Sequence, residues 1–156
     1  MKKLLLIIVV SLFVIAANAQ SPMFLKGDRH LKLSLGINPY SLGMISVDYG
    51  LVGEIGDLGT IGVGPFAHFG FNSKYNFYNL GVRGTFHYPV FEGFDTYAGI
   101  GMGLRMNREL IPGLWGWDLT PGFFLGANYP INDAVALFGE VGVGSSLVMV
   151  GLSIDF

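Results

Sequence analysis

The chain has 156 residues, a formal net charge of −2, 13% charged and 14% aromatic side chains, 24 glycines and no cysteine. The lack of a basic cluster argues against nucleic acid as a partner, and the lack of cysteine excludes disulfides and thiolate metal sites. A soluble domain usually carries about twice this charged fraction. The composition therefore indicates an outer surface that does not face water.

The first 19 residues have the pattern of a cleaved export signal. Two lysines precede the apolar run 4–17, and Ala17-Asn18-Ala19 supplies the small-x-small cleavage site. The run is shorter than the roughly 20 residues that a spanning helix needs, so an uncleaved membrane anchor is the weaker alternative. No cysteine follows the site, which excludes a lipoprotein anchor. We expect a signal peptide over 1–19 and a single domain over 20–156, with seven basic and 11 acidic residues once the two lysines are removed.

After residue 19 the sequence alternates between apolar residues and polar or small residues. A period of two is typical of β-strands whose two faces meet different environments. Eight such segments match tilted strands of about 9–11 residues that cross a bilayer, and an even number places both chain ends on one side. In chain order the segments are 30–37, 44–51, 60–70, 78–88, 97–105, 118–129, 134–143 and 148–156.

Each strand has an apolar face and a second face of polar or small residues. The composition of this second face indicates which of the two points outward. This face carries few charges and many glycines, serines and threonines, which is too sparse for a surface in water but suits a narrow interior. In "YAGIGMGLR" the glycines Gly99, Gly101 and Gly103 fall on this face, with spacing unlike the G-x-G-x-x-G of a dinucleotide loop. We therefore predict that they line a tightly curved wall that leaves no room for side chains.

The export signal, the eight strands and the final "VGLSIDF" resemble the small eight-stranded outer-membrane β-barrel proteins of Gram-negative bacteria. "YPVFEGFDTYAGIGMGL" and "LGANYPINDAVALFGEVGVG" are similar to the strand pairs that flank short periplasmic turns in that family. The resemblance implies an all-β, closed, antiparallel up-and-down transmembrane barrel in the outer membrane, in contact with its lipid. It also implies that insertion machinery recognises the C-terminal aromatic residue, Phe156.

The family usually has long outer loops, whereas this sequence predicts short ones at 38–43, 71–77, 106–117 and 144–147. Only the third, "MNRELIPGLWGW", has much substance. Its Trp115 and Trp117 are predicted as interfacial anchors, and they are also the candidate contact for a partner.

The charged residues of the inner face are predicted to pair in a lumen polar network. An eight-stranded interior is just wide enough for side chains to fill it. The alternative is a narrow or gated solute path, since inward glycines with Ser34, Ser46 and Thr85 would leave gaps for water. The predicted network consists of Lys32, Asp48, Arg83, Arg105, Asp118, Glu140 and Asp155.

A lipid-modifying enzyme would need catalytic groups, and His68, Asp118 and Ser73 could supply a base, an acid and a nucleophile. Nothing in their spacing requires such a role, and no two histidines have ligand spacing on one strand. We therefore predict no catalytic site, no metal and no cofactor. The sequence predicts a monomeric, non-enzymatic outer-membrane barrel with a structural or envelope-interaction role, with a small-solute channel or a lipid-modifying enzyme as the alternatives.

Overall fold

The computed structural model describes residues 24–38, 40–53, 59–71, 76–88, 93–108, 115–144 and 147–156. The predicted signal peptide lies outside these residues. The strands are β1 (Arg29–Asn38), β2 (Tyr40–Val52), β3 (Thr60–Phe71), β4 (Asn76–His87), β5 (Asp95–Arg108), β6 (Trp115–Asn132), β7 (Val135–Val143) and β8 (Val148–Asp155).

The eight strands form a closed barrel in which each strand pairs with its neighbours in the chain. All pairs are antiparallel, and β1 closes the ring on β8 from His30 opposite Asp155 to Ile37 opposite Val148. The predicted antiparallel up-and-down barrel is confirmed. We call the end where β1 begins and β8 finishes the terminal end, and the opposite end the far end.

Burial alternates along the strands because successive side chains point to opposite faces of the wall. In β4, Leu80 and Val82 are exposed while Asn79 and Arg83 are buried. The predicted orientation is confirmed: the outer face is apolar, and the inner face holds polar, aromatic and glycine residues. Within the described residues, no helical segment has the length and apolarity needed to cross a membrane.

Several strands are longer than the sequence predicted. β2 begins at residue 40 rather than 44, and the β5–β6 ladder continues to the pair Arg108 and Trp115. The predicted loops 38–43 and 106–117 are therefore partly strand. Alternation marks only the part of a strand whose faces meet different environments, whereas backbone pairing can continue beyond it.

Candidate functional site

Four predicted network residues meet in the middle of the lumen, and we call them the central quartet: Lys32, Asp48, Arg83 and Glu140. Lys32 Nζ lies 2.8 Å from Asp48 Oδ2, and Arg83 Nε lies 3.3 Å from Asp48 Oδ1. Arg83 Nη2 donates to Glu140 Oε1 at 2.6 Å. The four side chains come from β1, β2, β4 and β7 and are almost fully buried. Two cations and two carboxylates thus balance one another across the lumen.

Aromatic rings surround the central quartet. Tyr97 donates its hydroxyl to Glu140 Oε1 at 2.8 Å, and Lys32 Nζ lies 3.8 Å from the centroid of the Tyr97 ring. The Arg83 guanidinium carbon lies 4.1 Å from the centroid of the Phe124 ring. Cation–π contacts of this kind stabilise a cation most where water is excluded. The quartet is therefore held by both ion pairs and ring contacts.

The other three predicted network residues lie away from the quartet. Arg105 donates from Nη2 to the Gly144 carbonyl at 3.0 Å and lies 5.2 Å from the Phe77 ring centroid. Asp118 is exposed near the far end, although its Cα is opposite that of Arg105 in the β5–β6 ladder. Asp155 is exposed at the terminal end. Sequence parity placed all seven on the inner face but carried no information on their height in the barrel.

A second buried polar group lies toward the terminal end and was not predicted. His87 Nδ1 lies 2.9 Å from both carboxylate oxygens of Asp95, and its Nε2 lies 3.1 Å from Thr85 Oγ1. Asn128 donates from Nδ2 to Asp95 Oδ2 at 2.7 Å. The order of hydroxyl, imidazole and carboxylate is that of a catalytic triad, but Thr85 and His87 are only 3% and 1% exposed. With this burial the arrangement serves to satisfy polar groups inside the wall.

The N-terminal segment 24–28 folds into the terminal end of the barrel, and this too was not predicted. Phe24 is 1% exposed, with its ring stacked on His87 at a centroid distance of 4.1 Å. Backbone hydrogen bonds from Gly27 N to Gly50 O and from Gly50 N to Asp28 O fix the segment to β2. Phe24 therefore covers the buried group of Thr85, His87, Asp95 and Asn128 on its terminal-end side.

The structure places two of the residues considered for catalysis in different surroundings. His68 is buried in β3 with its ring 4.7 Å from that of Phe66, whereas Asp118 is exposed on β6. Ser73 lies outside the described residues.

Trp115 and Trp117 belong to β6 rather than to the third loop, which corrects their predicted location. Their Cα atoms pair with Arg108 and Met106, so the β5–β6 ladder includes them. Trp117 is 60% exposed and shares the outer face with Leu119. This position suits an anchor on the outer wall.

No protein-family model matches the sequence, and no curated protein matches it. Solved structures do. The N-terminal β-barrel domain of Pseudomonas aeruginosa OprF is 10% identical with a TM-score of 0.65, covering 84% of this chain and 98% of that one. A de novo designed transmembrane β-barrel is 18% identical with a TM-score of 0.64, covering 86% and 99%. The Yersinia pestis outer-membrane protein Ail is 9% identical with a TM-score of 0.54, covering 84% and 100%.

These structural similarities show that the chain shares the barrel architecture of these proteins. Identities this low, one of them to a designed protein, indicate a shared barrel and not a shared activity. The predicted resemblance to small eight-stranded outer-membrane barrels is confirmed at the level of fold.

Proposed function

We propose that this chain is an integral outer-membrane β-barrel protein with a structural or envelope-interaction role. The apolar outer wall supports insertion in lipid: Leu35 is 73% exposed, Ile100 68% and Val150 62%. Leaving such surface in water costs about 25 cal/mol per Å² of apolar area. The likeness to the OprF barrel domain and Ail and the predicted export signal support the outer membrane as the location.

We further propose that the lumen does not conduct. The observation that carries this is the central quartet, which links strands on different sides of the lumen through direct ion pairs. Arg83 alone contacts Asp48 on β2 and Glu140 on β7 from its position on β4. Phe24 adds a second obstruction at the terminal end. For ions to pass through the lumen, the ion pairs of the central quartet would have to separate and Phe24 would have to move away from the terminal end.

Three measurements test this proposal: fractionation of cells that produce the chain, and the electrophoretic mobility and ion conductance of the purified barrel. A folded outer-membrane barrel keeps a compact form in detergent until it is boiled, so we expect a heat-dependent change in electrophoretic mobility and recovery from the outer-membrane fraction. In planar bilayers the same preparation should give no ion current above background. A soluble periplasmic protein with no mobility change would contradict membrane insertion, and steady currents would contradict the closed lumen.

A narrow small-solute channel is the second candidate. It is favoured by a cavity of about 30 Å³ beside Arg83 and Glu140, lined also by His68 and Thr120. This volume suits one or two water molecules. If the channel function is correct, currents should appear and should change when Arg83→Gln or Glu140→Gln removes one charge. A closed barrel predicts silence for the wild type.

We also propose that the insertion machinery recognises Phe156 when the barrel enters the membrane. It follows β8 and is 67% exposed, so its ring is available to another protein. Phe156→Ala should lower the yield of heat-modifiable barrel, whereas Phe123→Ala, which removes a 48% exposed ring from the same outer wall, should not. Equal yields of the two variants would contradict the proposal.

A further inference from the structure

A small cavity at the terminal end is lined by seven oxygen-bearing side chains, by His30 and by four apolar residues. Its volume is about 40 Å³, and four aspartates line it: Asp28, Asp95, Asp133 and Asp155. We call this cavity the acidic pocket. It is separate from the central quartet, which holds none of these residues.

Asn128 supplies a buried acceptor in the acidic pocket. The side chain is 3% exposed and lines the cavity. Its Nδ2 donates to Asp95 Oδ2, and because a carboxylate only accepts, this bond fixes the orientation of the amide. Asn128 Oδ1 then has no hydrogen-bond donor among the residues that the structure describes. A buried acceptor of this kind is destabilising until a ligand donates to it.

The charge around the pocket is unbalanced. Asp95 is paired with His87, whereas Asp133 and Asp155 stand at the exposed rim. The nearby Arg29 guanidinium lies 6.0 Å from the Tyr49 ring centroid, and Arg29 is not among the described residues that line the cavity. The same holds for Lys26, whose Cβ packs toward Gly53. The pocket therefore favours a cation that also donates hydrogen bonds.

The size and chemistry of the acidic pocket limit the class of ligand that it can bind. In the described part of the chain, no three His, Cys, Asp or Glu side chains converge to hold a metal ion. A cavity near 40 Å³ accepts a group of one or two heavy atoms with their hydrogens, since about 10–15 Å³ is enough to hold one water molecule. A primary ammonium has this size, a positive charge and three N–H donors.

We propose that the acidic pocket binds a primary ammonium group, either a small free amine or the end of a lysine side chain. The group donates to Asn128 Oδ1 and lies among the carboxylates of Asp133 and Asp155. This inference goes beyond the structural role proposed above, because it gives the terminal end of the barrel a ligand of defined chemistry.

The test uses the heat-modifiable barrel purified in detergent micelles and observed by ¹H–¹⁵N correlation NMR. Methylammonium chloride should produce saturable shifts of the Asn128 side-chain amide and the Ser153 backbone amide, both from residues that line the pocket. Tetramethylammonium chloride at equal ionic strength has the same charge but no N–H donor, and it should produce none. The double variant Asp133→Asn with Asp155→Asn should weaken methylammonium binding about tenfold or more. Asp118→Asn, which removes a carboxylate at the far end, is the matched control and should leave it unchanged.

Equal shifts with tetramethylammonium, no saturation, or the same loss in Asp118→Asn would overturn the proposal. Because every sample is first shown to be heat-modifiable, a negative titration counts against the pocket and not against the barrel. Nα-acetyl-lysine amide, which keeps its ε-ammonium, distinguishes the two sources of the ammonium group. Binding at least tenfold tighter than methylammonium supports a lysine side chain as the ligand, and equal binding supports a free amine.

Discussion

Replacing Arg83 by methionine should be among the most destabilising changes in this barrel. Arg83→Met keeps a similar length but removes the cation that contacts both Asp48 and Glu140. Lys32 still pairs with Asp48, so the quartet falls from neutral to one uncompensated negative charge. That charge stays on Glu140, whose remaining described hydrogen bond comes from the Tyr97 hydroxyl.

The expected cost follows from burial. Arg83 is 3% exposed and Glu140 5% exposed, so water cannot solvate the charge that is left behind. Removing one partner of a buried ion pair costs about 3–5 kcal/mol. Loss of the contact with the Phe124 ring adds about 0.5–2 kcal/mol at a desolvated site. We therefore expect a loss of about 3.5–7 kcal/mol in the free energy of unfolding.

A second variant separates charge from packing. Replacing both members of a buried pair with apolar residues is often neutral or stabilising. Arg83→Met with Glu140→Met should therefore recover most of the loss, less about 1 kcal/mol for the acceptor that Tyr97 no longer has. Arg105→Met is the matched control: it removes one hydrogen bond to a carbonyl and a ring contact, and should cost about 1–2 kcal/mol.

The assay is urea unfolding of the barrel in lipid vesicles, followed by tryptophan fluorescence and by heat-dependent mobility. A loss below about 1 kcal/mol for Arg83→Met would refute the reasoning, because it would mean that the quartet is solvated or that its carboxylates are neutral. A double variant less stable than Arg83→Met alone would refute it as well, since removing Glu140 would then worsen the defect instead of relieving it.

Two further predictions concern close packing. A Cβ on Gly64 would collide with the Val47 carbonyl oxygen, whereas a Cβ on Gly116 meets nothing within 4 Å. Gly64→Ala should therefore lose about 1–3 kcal/mol in the same urea assay and Gly116→Ala almost none, and equal losses would contradict the close approach. Phe24→Ala should cost about 3–5 kcal/mol and open the terminal end, because Phe24 covers His87. The chain has no native cysteine, so a single introduced cysteine can report access to the terminal end. Thr85→Cys combined with Phe24→Ala should react with a small thiol reagent, whereas Thr85→Cys alone should not. Equal reaction rates of the two variants would count against a cap.

The barrel itself could be predicted because alternation is imposed on nearly every strand by two different surroundings. Choosing the members of the quartet required more than parity. Arg83 meets Glu140 because ring closure brings β4 and β7 to face each other across the lumen, and Asp118 has the same inward parity but lies near an end. Parity states which face a side chain occupies, whereas height depends on strand register, which hairpin geometry and closure determine.

The unpredicted residues lie where the alternation carries no signal. Phe24 precedes the first alternating segment, and a single aromatic residue there has no periodicity to reveal its burial. Asp95 lies just outside the predicted segment 97–105, although it shares parity with Tyr97 and belongs to the inner face of the longer β5. His87 shares the parity of Arg83 in β4, but the predicted segment 97–105 stops short of its partner Asp95 on the next strand.

Gly99 of "YAGIGMGLR" and Gly126 on the neighbouring strand connect the wall to the charges inside it. A Cβ on Gly99 would collide with the ring of Phe124, which lies directly opposite on β6, and a Cβ on Gly126 would collide with the ring of Tyr97. Each glycine thus leaves the space that an inward aromatic ring from the neighbouring strand fills. Those two rings are the ones that contact Arg83 and Lys32. Gly99 and Gly126 therefore position the aromatic surroundings of the central quartet, and a side chain at Gly99 would disturb the ion pairs without touching a charged residue.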